Sequence, residues 1–427
     1  MTGEEVTTAT NDGAEVRALL LAMGVALTMT GDAVSEIQAR LRAIASAYGF
    51  ERARISVFPT VLVVGLGDGS GVDLRTIDSV RQLRLDQATE VIHLAEAAER
   101  GEVAAGEGFA ELRAIFEERS RFGTVAYIAS HGVLTIGLAF LIHPAAVDLW
   151  VYFALGCLVG AMKAWGERFT TGGYLLPIVA AAVVSAIGFL IHGGNEAASL
   201  RLTIPPLVTF LPGALLTMAT VDLAMGETVT GASRFVAGLL QLLLLGIGII
   251  VGAELVGNPH AGPVAGAAAH TFGSWAPWAG VAIFGAGIYV HNSGPKRSLP
   301  WLLVVLFAAW GGQLVGRQVI DATLSGFVGA AAMVPIAHAV GRVRTAPPPH
   351  VMFLPAFWLL VPGTIGLIGI TELVGDNSKH GSENFAAAFE GVISVALGIL
   401  VGTMIVRAAR ILMRRGGLGR LPLRHPA

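Results

Sequence analysis

The chain has 427 residues, of which 54% are hydrophobic and only 14% are charged, and its mean hydropathy is +0.69. Soluble domains carry about a quarter charged residues, so this composition excludes an ordinary soluble protein and favours a membrane protein. A formal net charge of −2 gives no basic surface for a nucleic acid. The single cysteine, Cys157, excludes a disulfide framework and a cysteine-based zinc site.

Charged residues are spread unevenly and divide the chain. Residues 1–123 hold 31 of them, residues 124–406 hold 21, and residues 407–427 hold six, all arginine. This distribution predicts a disordered start at 1–13, a head domain at 14–123, a membrane body, and a basic tail that touches anionic headgroups. The first apolar stretch follows acidic rather than basic residues, so we expect no secretory signal and a head that stays in the cytoplasm.

The head changes its hydrophobic period along the chain, which predicts a small α+β domain. A short apolar helix covers residues 14–30, and Asp32 can cap a second helix whose apolar residues recur at spacings of three and four. Two strands turning near Pro59 follow, because apolar residues alternate there. Helices over residues 76–100 and 106–118 complete the head.

The membrane body contains ten apolar runs that could each cross a bilayer, which needs about 20 residues per helix. Placing both termini in the cytoplasm puts most loop lysines and arginines inside, as the positive-inside rule requires. The chain is therefore predicted to be an all-α polytopic protein of the cell membrane, with a cytoplasmic α+β head. The predicted spans are 124–142, 146–165, 174–192, 202–225, 234–257, 275–291, 299–317, 323–340, 350–375 and 384–406.

An internal repeat organises these spans. Residues 209–223 align with residues 359–373 at an offset of 150, which pairs Pro212 with Pro362, and glycines further along keep the same offset. Each copy holds five spans, and because five is odd, the second copy enters the membrane from the opposite side. The prediction is an inverted 5+5 repeat, the architecture typical of secondary transporters. The two copies and the outer loop between them are residues 124–257, 275–406 and 258–274.

The fourth span of each copy carries a proline-glycine pair that should break the helix. The half-helix after each break has free N–H groups and the positive end of the helix dipole, which suit a substrate carboxylate. Proline and glycine also kink membrane helices without binding anything, and it is the matched pair that favours a substrate role. The predicted substrate-binding residues, including nearby threonines, are Pro212, Gly213, Thr217, Thr220, Pro362, Gly363 and Thr364.

Ionisable residues are rare within the spans, because burying a charge in lipid is costly. Four of them are candidates for proton coupling or for a gate: Asp222, Glu372, His131 and Glu390. The alternative for the first two is a carboxylate in the headgroup zone, and for His131 it is a satisfied buried histidine. No group of side chains predicts a metal site or a cofactor.

Several stretches resemble the threonine/serine exporter family. They are Gly31–Glu36 with Tyr48–Phe50, the Phe58-Pro59-Thr60 turn, and above all TFLPGALLTMATVDLAMGETVTGASRF at Thr209–Phe235. The similarity runs from residue 14 to residue 406 and is closest in kind to the actinobacterial form. It implies a cytoplasmic N-terminal domain, ten spans, and efflux of threonine and serine driven by the proton motive force. It carries over no substrate ligands, so the site residues above come from the repeat and from the burial of charge.

Other functions stay open beside this one. A dicarboxylate exporter would keep the architecture, since the resemblance extends to separate five-span halves linked to dicarboxylate export. A membrane sensor or scaffold would use the head to bind a partner. A membrane-embedded hydrolase needs a nucleophile, a base and an orienting group, and Ser130-His131 is the only adjacent hint, so we expect no enzyme. The expected partners are a small-molecule substrate, protons and the lipid bilayer, and a homo-oligomer is compatible with the pattern.

Overall fold

The computed structural model consists of a body of apolar helices and an α+β head packed against it. One hydrophobic cluster fills the head, and a second one lies among the helices of the body. The described residues are 3–67, 69, 71–77, 82–142, 149–166, 172–192, 196–257, 272–360, 366–367, 369 and 378–415.

The head, as far as it is described, has four helices and a three-stranded antiparallel sheet. Its elements are α1 (Gly3–Met29), α2 (Val34–Ala47), β1 (Arg54–Val57), β2 (Val61–Gly65), β3 (Asp73–Thr76), α3 (Leu85–Glu99) and α4 (Ala105–Glu117). Ile55 and Val57 of β1 are buried and their neighbours are not, which agrees with the predicted alternation. Ile55 lies opposite Val64 of β2, so the strands turn at Pro59 as predicted.

The structure differs from the predictions in two places in the head. The first helix begins at Gly3, within the segment 1–13 for which disorder was expected. The helix expected from residue 76 begins only at Leu85, because residues 73–76 form β3 and pair with β2. Leu74 in this edge strand is 68% exposed, so the strand lacks the buried alternation that identifies strands in a sequence.

The body contains mostly long apolar helices. Seven segments of its described residues are long and apolar enough to cross a membrane, and three further apolar helices are shorter. The elements are α5 (Thr124–Ile142), α6 (Leu149–Gly166), α7 (Gly172–His192), α8 (Glu196–Thr203), a 3-10 helix (Pro205–Phe210), α9 (Gly213–Ala224), α10 (Thr228–Leu255), α11 (Ala276–His291), α12 (Leu299–Val319), α13 (Ser325–Val340), α14 (Pro349–Leu360) and α15 (Ser378–Arg415).

Most of these helices overlap the ranges predicted as spans, and they differ from those ranges in three respects. The short ones are α11, α13 and α14, and the described part of α14 stops at Leu360. The predicted span 202–225 is divided between the 3-10 helix and α9. The last helix extends to Arg415, so the first part of the basic tail is helical. We refer below to residues 124–257 as the first half of the body and to residues 275–415 as the second half.

Helices α5 and α11 pack against each other and run in opposite directions. Tyr127, near the start of α5, stacks on His291 at the end of α11 with ring centroids 4.2 Å apart. Phe140, near the end of α5, lies 6.3 Å from Trp275, which precedes α11. The contact therefore extends along the length of both helices and joins the two halves of the body.

Two glycines allow the backbones of α5 and α11 to approach closely. A Cβ atom at Gly137 would overlap the backbone of Phe284, and one at Gly287 would overlap the backbone of Leu134. Small residues at helix contacts are the usual means of close packing in membranes, where van der Waals contact replaces the hydrophobic effect.

Glycine contacts also join α10 to α7 and α15 to α13. Gly248 faces Ile178 and Ala181 of α7, while Gly398 faces Phe327 and Ala330 of α13. In each half of the body, glycine thus packs the last helix against the third helix of that half.

We expect Gly137→Ala to destabilise the protein by about 1–3 kcal/mol, the usual cost of overpacking a filled interior. The added methyl group has no room, so α5 and α11 must separate. Thermal unfolding of the detergent-solubilised protein measures the effect.

The matched control is Gly311→Ala on α12, where the nearest atom to a new Cβ is 3.9 Å away. This variant should be as stable as the parent protein. Equal unfolding temperatures for the two variants would show that the α5–α11 contact is not as tight as described.

Candidate functional site

The fourth predicted span breaks where the proline-glycine pair places the break. The 3-10 helix ends at Phe210, Leu211 is extended with φ −68° and ψ 126°, and α9 begins at Gly213 after Pro212. The pyrrolidine ring removes the N–H that would otherwise continue a helix through this point. The corresponding pair Pro362-Gly363 lies outside the described residues, as do Thr364 and Glu372.

The break leaves backbone groups that need partners, because lipid offers none. The carbonyl oxygen of Phe210 accepts a hydrogen bond of 2.6 Å from the side-chain amide of Gln241 in α10. At the other side of the break, the first amides of α9 have no carbonyl one turn earlier to bind, as at every helix start. The N-terminal end of α9 can therefore accept a polar ligand.

A small cavity lies beside this break, between α9, α10 and α15. Its lining is apolar, and four pairs of lining residues are related by the offset of 150: Leu216 with Gly366, Phe235 with Phe385, Leu239 with Phe389, and Leu242 with Val392. The remaining lining residues are Pro212, Gly213 and Ala388. The cavity is thus built from equivalent positions of both halves.

The two predicted threonines of α9 differ in their hydrogen bonding. The hydroxyl of Thr217 is buried and has no hydrogen-bond partner among the described residues. The hydroxyl of Thr220 donates to the carbonyl oxygen of Leu216 in its own helix, at 3.0 Å. A buried hydroxyl without a partner is costly, so Thr217 is the one with unused capacity to bind a ligand.

His131 is fully buried in α5 and is connected to the segment before the break. Its Nδ1 lies 2.8 Å from the carbonyl oxygen of Gly156, and its Nε2 lies 3.1 Å from Oγ1 of Thr209. A carbonyl can only accept, so Nδ1 carries the proton and Nε2 of the neutral ring accepts from the threonine hydroxyl. Its ring is 5.0 Å from that of His291 in α11, and Lys163 lies nearby, above the ring of Phe210.

Asp222 lies at the opposite end of α9, where it meets the head. Its side chain is fully buried and accepts two hydrogen bonds, one of 2.9 Å from the backbone N–H of Val34 and one of 2.7 Å from Arg234. Val34 is the first residue of α2, so this carboxylate caps a helix of another domain. Arg234 also donates to the carbonyl oxygen of Asp32, at 3.1 Å.

Asp32, the predicted cap of α2, has a different partner. The residue at the N-cap position of α2 is Ala33, and its side chain makes no capping hydrogen bond. The Asp32 carboxylate instead lies 3.1 Å from Nδ1 of His350, which is in the second half of the body. Burial raises the pKa of Asp32, but the charge and hydrogen bond of His350 outweigh burial, so the pKa lies below its usual value.

The structure therefore brings some of the predicted site residues together and separates others. Pro212 and Gly213 line the cavity, and His131 is connected to Thr209, three residues before the break. Asp222 is paired at the head, and Glu390 is exposed on α15 and does not line the cavity.

Sequence reasoning missed four residues of the site. Gln241 is an isolated amide in an apolar run, which was a usable signal, since polar side chains in a span are costly without a partner. Arg234, His291 and His350 are distant in the sequence from the groups they meet, and no local pattern marks them. Among the described residues, no group of histidine, cysteine and carboxylate side chains could hold a metal ion.

One comparison with known proteins gives a match. The model of a family described as "Putative threonine/serine exporter" matches residues 18–256, which cover the head and the first half of the body. No curated protein and no solved structure matches the chain.

We expect Gln241→Met to destabilise the protein by about 1–3 kcal/mol, because it leaves the buried carbonyl of Phe210 without a partner. The two side chains have similar shape, so the cost arises from the lost hydrogen bond. Thermal unfolding in detergent measures it, and Gln318→Met, at an exposed position of α12, is the matched control. A Gln241→Met protein as stable as the Gln318→Met protein would contradict this role.

Proposed function

The chain belongs to the threonine/serine exporter family, and from this premise we propose that it is a secondary active exporter of threonine and serine, coupled to protons. Members of such a family are membrane transporters, and the long apolar helices of the body agree with that class. We also propose that both termini lie in the cytoplasm and that the protein resides in the cell membrane, because most loop lysines and arginines then lie inside.

We infer that the body has ten spans arranged as an inverted repeat. The contacts between α5 and α11 support this. Positions 137 and 134 plus the offset of 150 give Gly287 and Phe284. The contact of Gly137 with Phe284 therefore corresponds to the contact of Gly287 with Leu134. Reciprocal contacts of this kind are characteristic of a two-fold axis. Because α5 and α11 are antiparallel, that axis would be perpendicular to the helices and would invert one half relative to the other.

The observation that carries the proposed transport site is the cavity beside the broken helix. Equivalent residues of the two halves line it, so it would lie at the repeat interface, where transporters of inverted-repeat architecture bind their substrates. The start of α9 can receive a carboxylate, and the apolar walls suit a small side chain. Thr217 does not line the cavity, but it lies one turn further along α9 and its buried hydroxyl has no partner among the described residues. Thr220 and, in the second half, Pro362, Gly363 and Thr364 complete the proposed set.

For proton coupling, the contacts favour His131 over the other candidates. It can gain a proton at Nε2 and then donate to Thr209, whose hydroxyl can rotate, so the exchange requires no large movement. Asp222 is already paired with Arg234, and Glu390 is exposed away from the cavity. In the proposed cycle, substrate enters from the cytoplasm, and a proton taken up from outside returns the transporter to its inward-open state.

Filling the cavity should abolish export. We expect Gly366→Leu to reduce threonine export at least about tenfold, because the new side chain occupies the cavity in which the substrate is positioned. The measurement is threonine release from cells fed a threonine dipeptide, with membrane levels checked by immunoblotting, and threonine counterflow in proteoliposomes.

The control is Gly311→Leu on α12, which adds the same side chain away from the cavity, at a position where the nearest atom to a new Cβ is 3.9 Å away. Full export by Gly366→Leu would contradict the cavity as the site. Counterflow of succinate without counterflow of threonine would replace the proposed substrate by a dicarboxylate.

Replacing His131 should uncouple transport from protons. We expect His131→Asn to retain threonine counterflow, which needs no proton gradient, and to lose most of the uptake into proteoliposomes driven by an imposed pH difference. His93→Asn changes an exposed histidine of α3 and should leave both activities intact. Driven transport by His131→Asn at the parent rate would exclude His131 as the proton carrier.

A further inference from the structure

The head bonds to both halves of the body, close to the start of α2. It meets the first half where Val34 donates to Asp222 and where Gln38 donates to Glu227 at 2.8 Å. It meets the second half where Asp32 lies 3.1 Å from His350 and where Glu36 lies 3.2 Å from Arg407. A short stretch of the head, residues 32–38, therefore spans the boundary between the halves.

Hydrophobic packing follows the same pattern. Ala33 of the head belongs to the hydrophobic cluster of the body, and Val351 of α14 belongs to the hydrophobic cluster of the head. The loop after α11 also takes part, since the backbone N–H groups of Leu85 and Asp86 donate to the carbonyl oxygens of Asn292 and Ser293. The head is thus part of the packed interior on this side of the body.

The attachment to the first half contains a buried ion pair and a covalent connection. The side chain of Asp222 is fully buried and that of Arg234 is 13% exposed, so separating them from the head would leave charges without their partners in a dry environment. The chain also runs directly from α4 of the head into α5, which ties the head covalently to the first half.

The attachment to the second half includes a more exposed contact, beside the better-buried pair of Asp32 and His350 and the backbone bonds to Asn292 and Ser293. The side chains of Glu36 and Arg407 are 40% and 63% exposed, and ion pairs in such positions contribute little stability. A small pocket lies between head residues such as Leu85 and Ile92 and residues His350 and Leu354 of α14. Atoms beside such a gap make fewer dispersion contacts, which lowers the cost of opening this part of the interface.

We propose that the head is a latch across the two halves, which stays on the first half and releases the second half whenever the side of the body that faces the head opens. This inference rests on the proposed transport function, because alternating access requires the halves to move against each other. While the head holds both, the entrance on its side is closed. The head then sets when substrate can enter, in addition to anchoring the chain.

The test cross-links the head to each half in turn. In a Cys157→Ala background, the pair Glu36→Cys and Arg407→Cys joins the head to the second half, and the pair Gln38→Cys and Glu227→Cys joins it to the first half. A bis-methanethiosulfonate reagent is needed, since residues paired through long side chains are too far apart for a disulfide. Dithiothreitol removes the link. The matched control, within the head, links Arg40→Cys to Glu99→Cys, whose parent side chains are 3.1 Å apart.

We expect the link to the second half to reduce threonine counterflow by about tenfold or more, and dithiothreitol to restore it, because a closed gate stops turnover. The link to the first half and the link within the head should leave counterflow unchanged. A second measurement does not require transport to stop. With threonine on both sides of the vesicle membrane, the yield of the cross-link to the second half should fall, while the yield of the cross-link to the first half should stay constant.

Counterflow that persists after complete linking to the second half would overturn the latch, and so would arrest by the link to the first half. Neither result bears on the substrate. If the parent protein moved no threonine in the same vesicles, the proposed transport function would fail instead, and the two failures are therefore distinguishable.

Discussion

Every polar group that this protein removes from water must find its partner inside the protein, and the organisation of the body follows from that constraint. The break before Pro212 exposes a carbonyl group, and Gln241 binds it. The start of α2 exposes an amide, and Asp222 caps it from another domain. In both places, a rare polar side chain of an apolar helix binds a backbone group that another segment leaves unpaired. Among the described residues, the Thr217 hydroxyl in the helix that follows the break is one of the buried groups without a partner, and a ligand bound there could satisfy it.

Glycine is the second element of this organisation. Membrane helices gain little from hydrophobic burial against each other, so close van der Waals contact must hold them together. Glycines at repeat-related positions provide that contact between α5 and α11 and again within each half. Backbones in such contact can slide or separate, but they cannot deform gradually, because each contact leaves no free space. A body of two such halves suits a two-state movement, and a head bonded to both halves is placed to control it.

Much of the fold could be predicted because it depends on local patterns. The order of the apolar helices, the β1–β2 turn at Pro59 and the break at Pro212 each follow from periodicity or from one special residue. The third strand could not be predicted, since its residues are exposed and it forms only by pairing with the edge of β2. Asp32 was expected to cap α2 because of its position, but the carboxylate of Asp222, 188 residues after Val34, occupies that place. A capping rule based on neighbours cannot anticipate a partner from another domain.

The sequence by itself determined that the chain is a membrane protein with a polar head, that its two halves share a pattern at an offset of 150, and that Pro212 and Gly213 interrupt a helix. These properties depend on composition, spacing and the chemistry of single residues. Only the tertiary structure decided that Asp222 meets the head, that His131 meets His291, and that a cavity lies between equivalent residues of both halves. Those facts depend on which helices become neighbours, and that choice is made by packing over distances that no local pattern encodes.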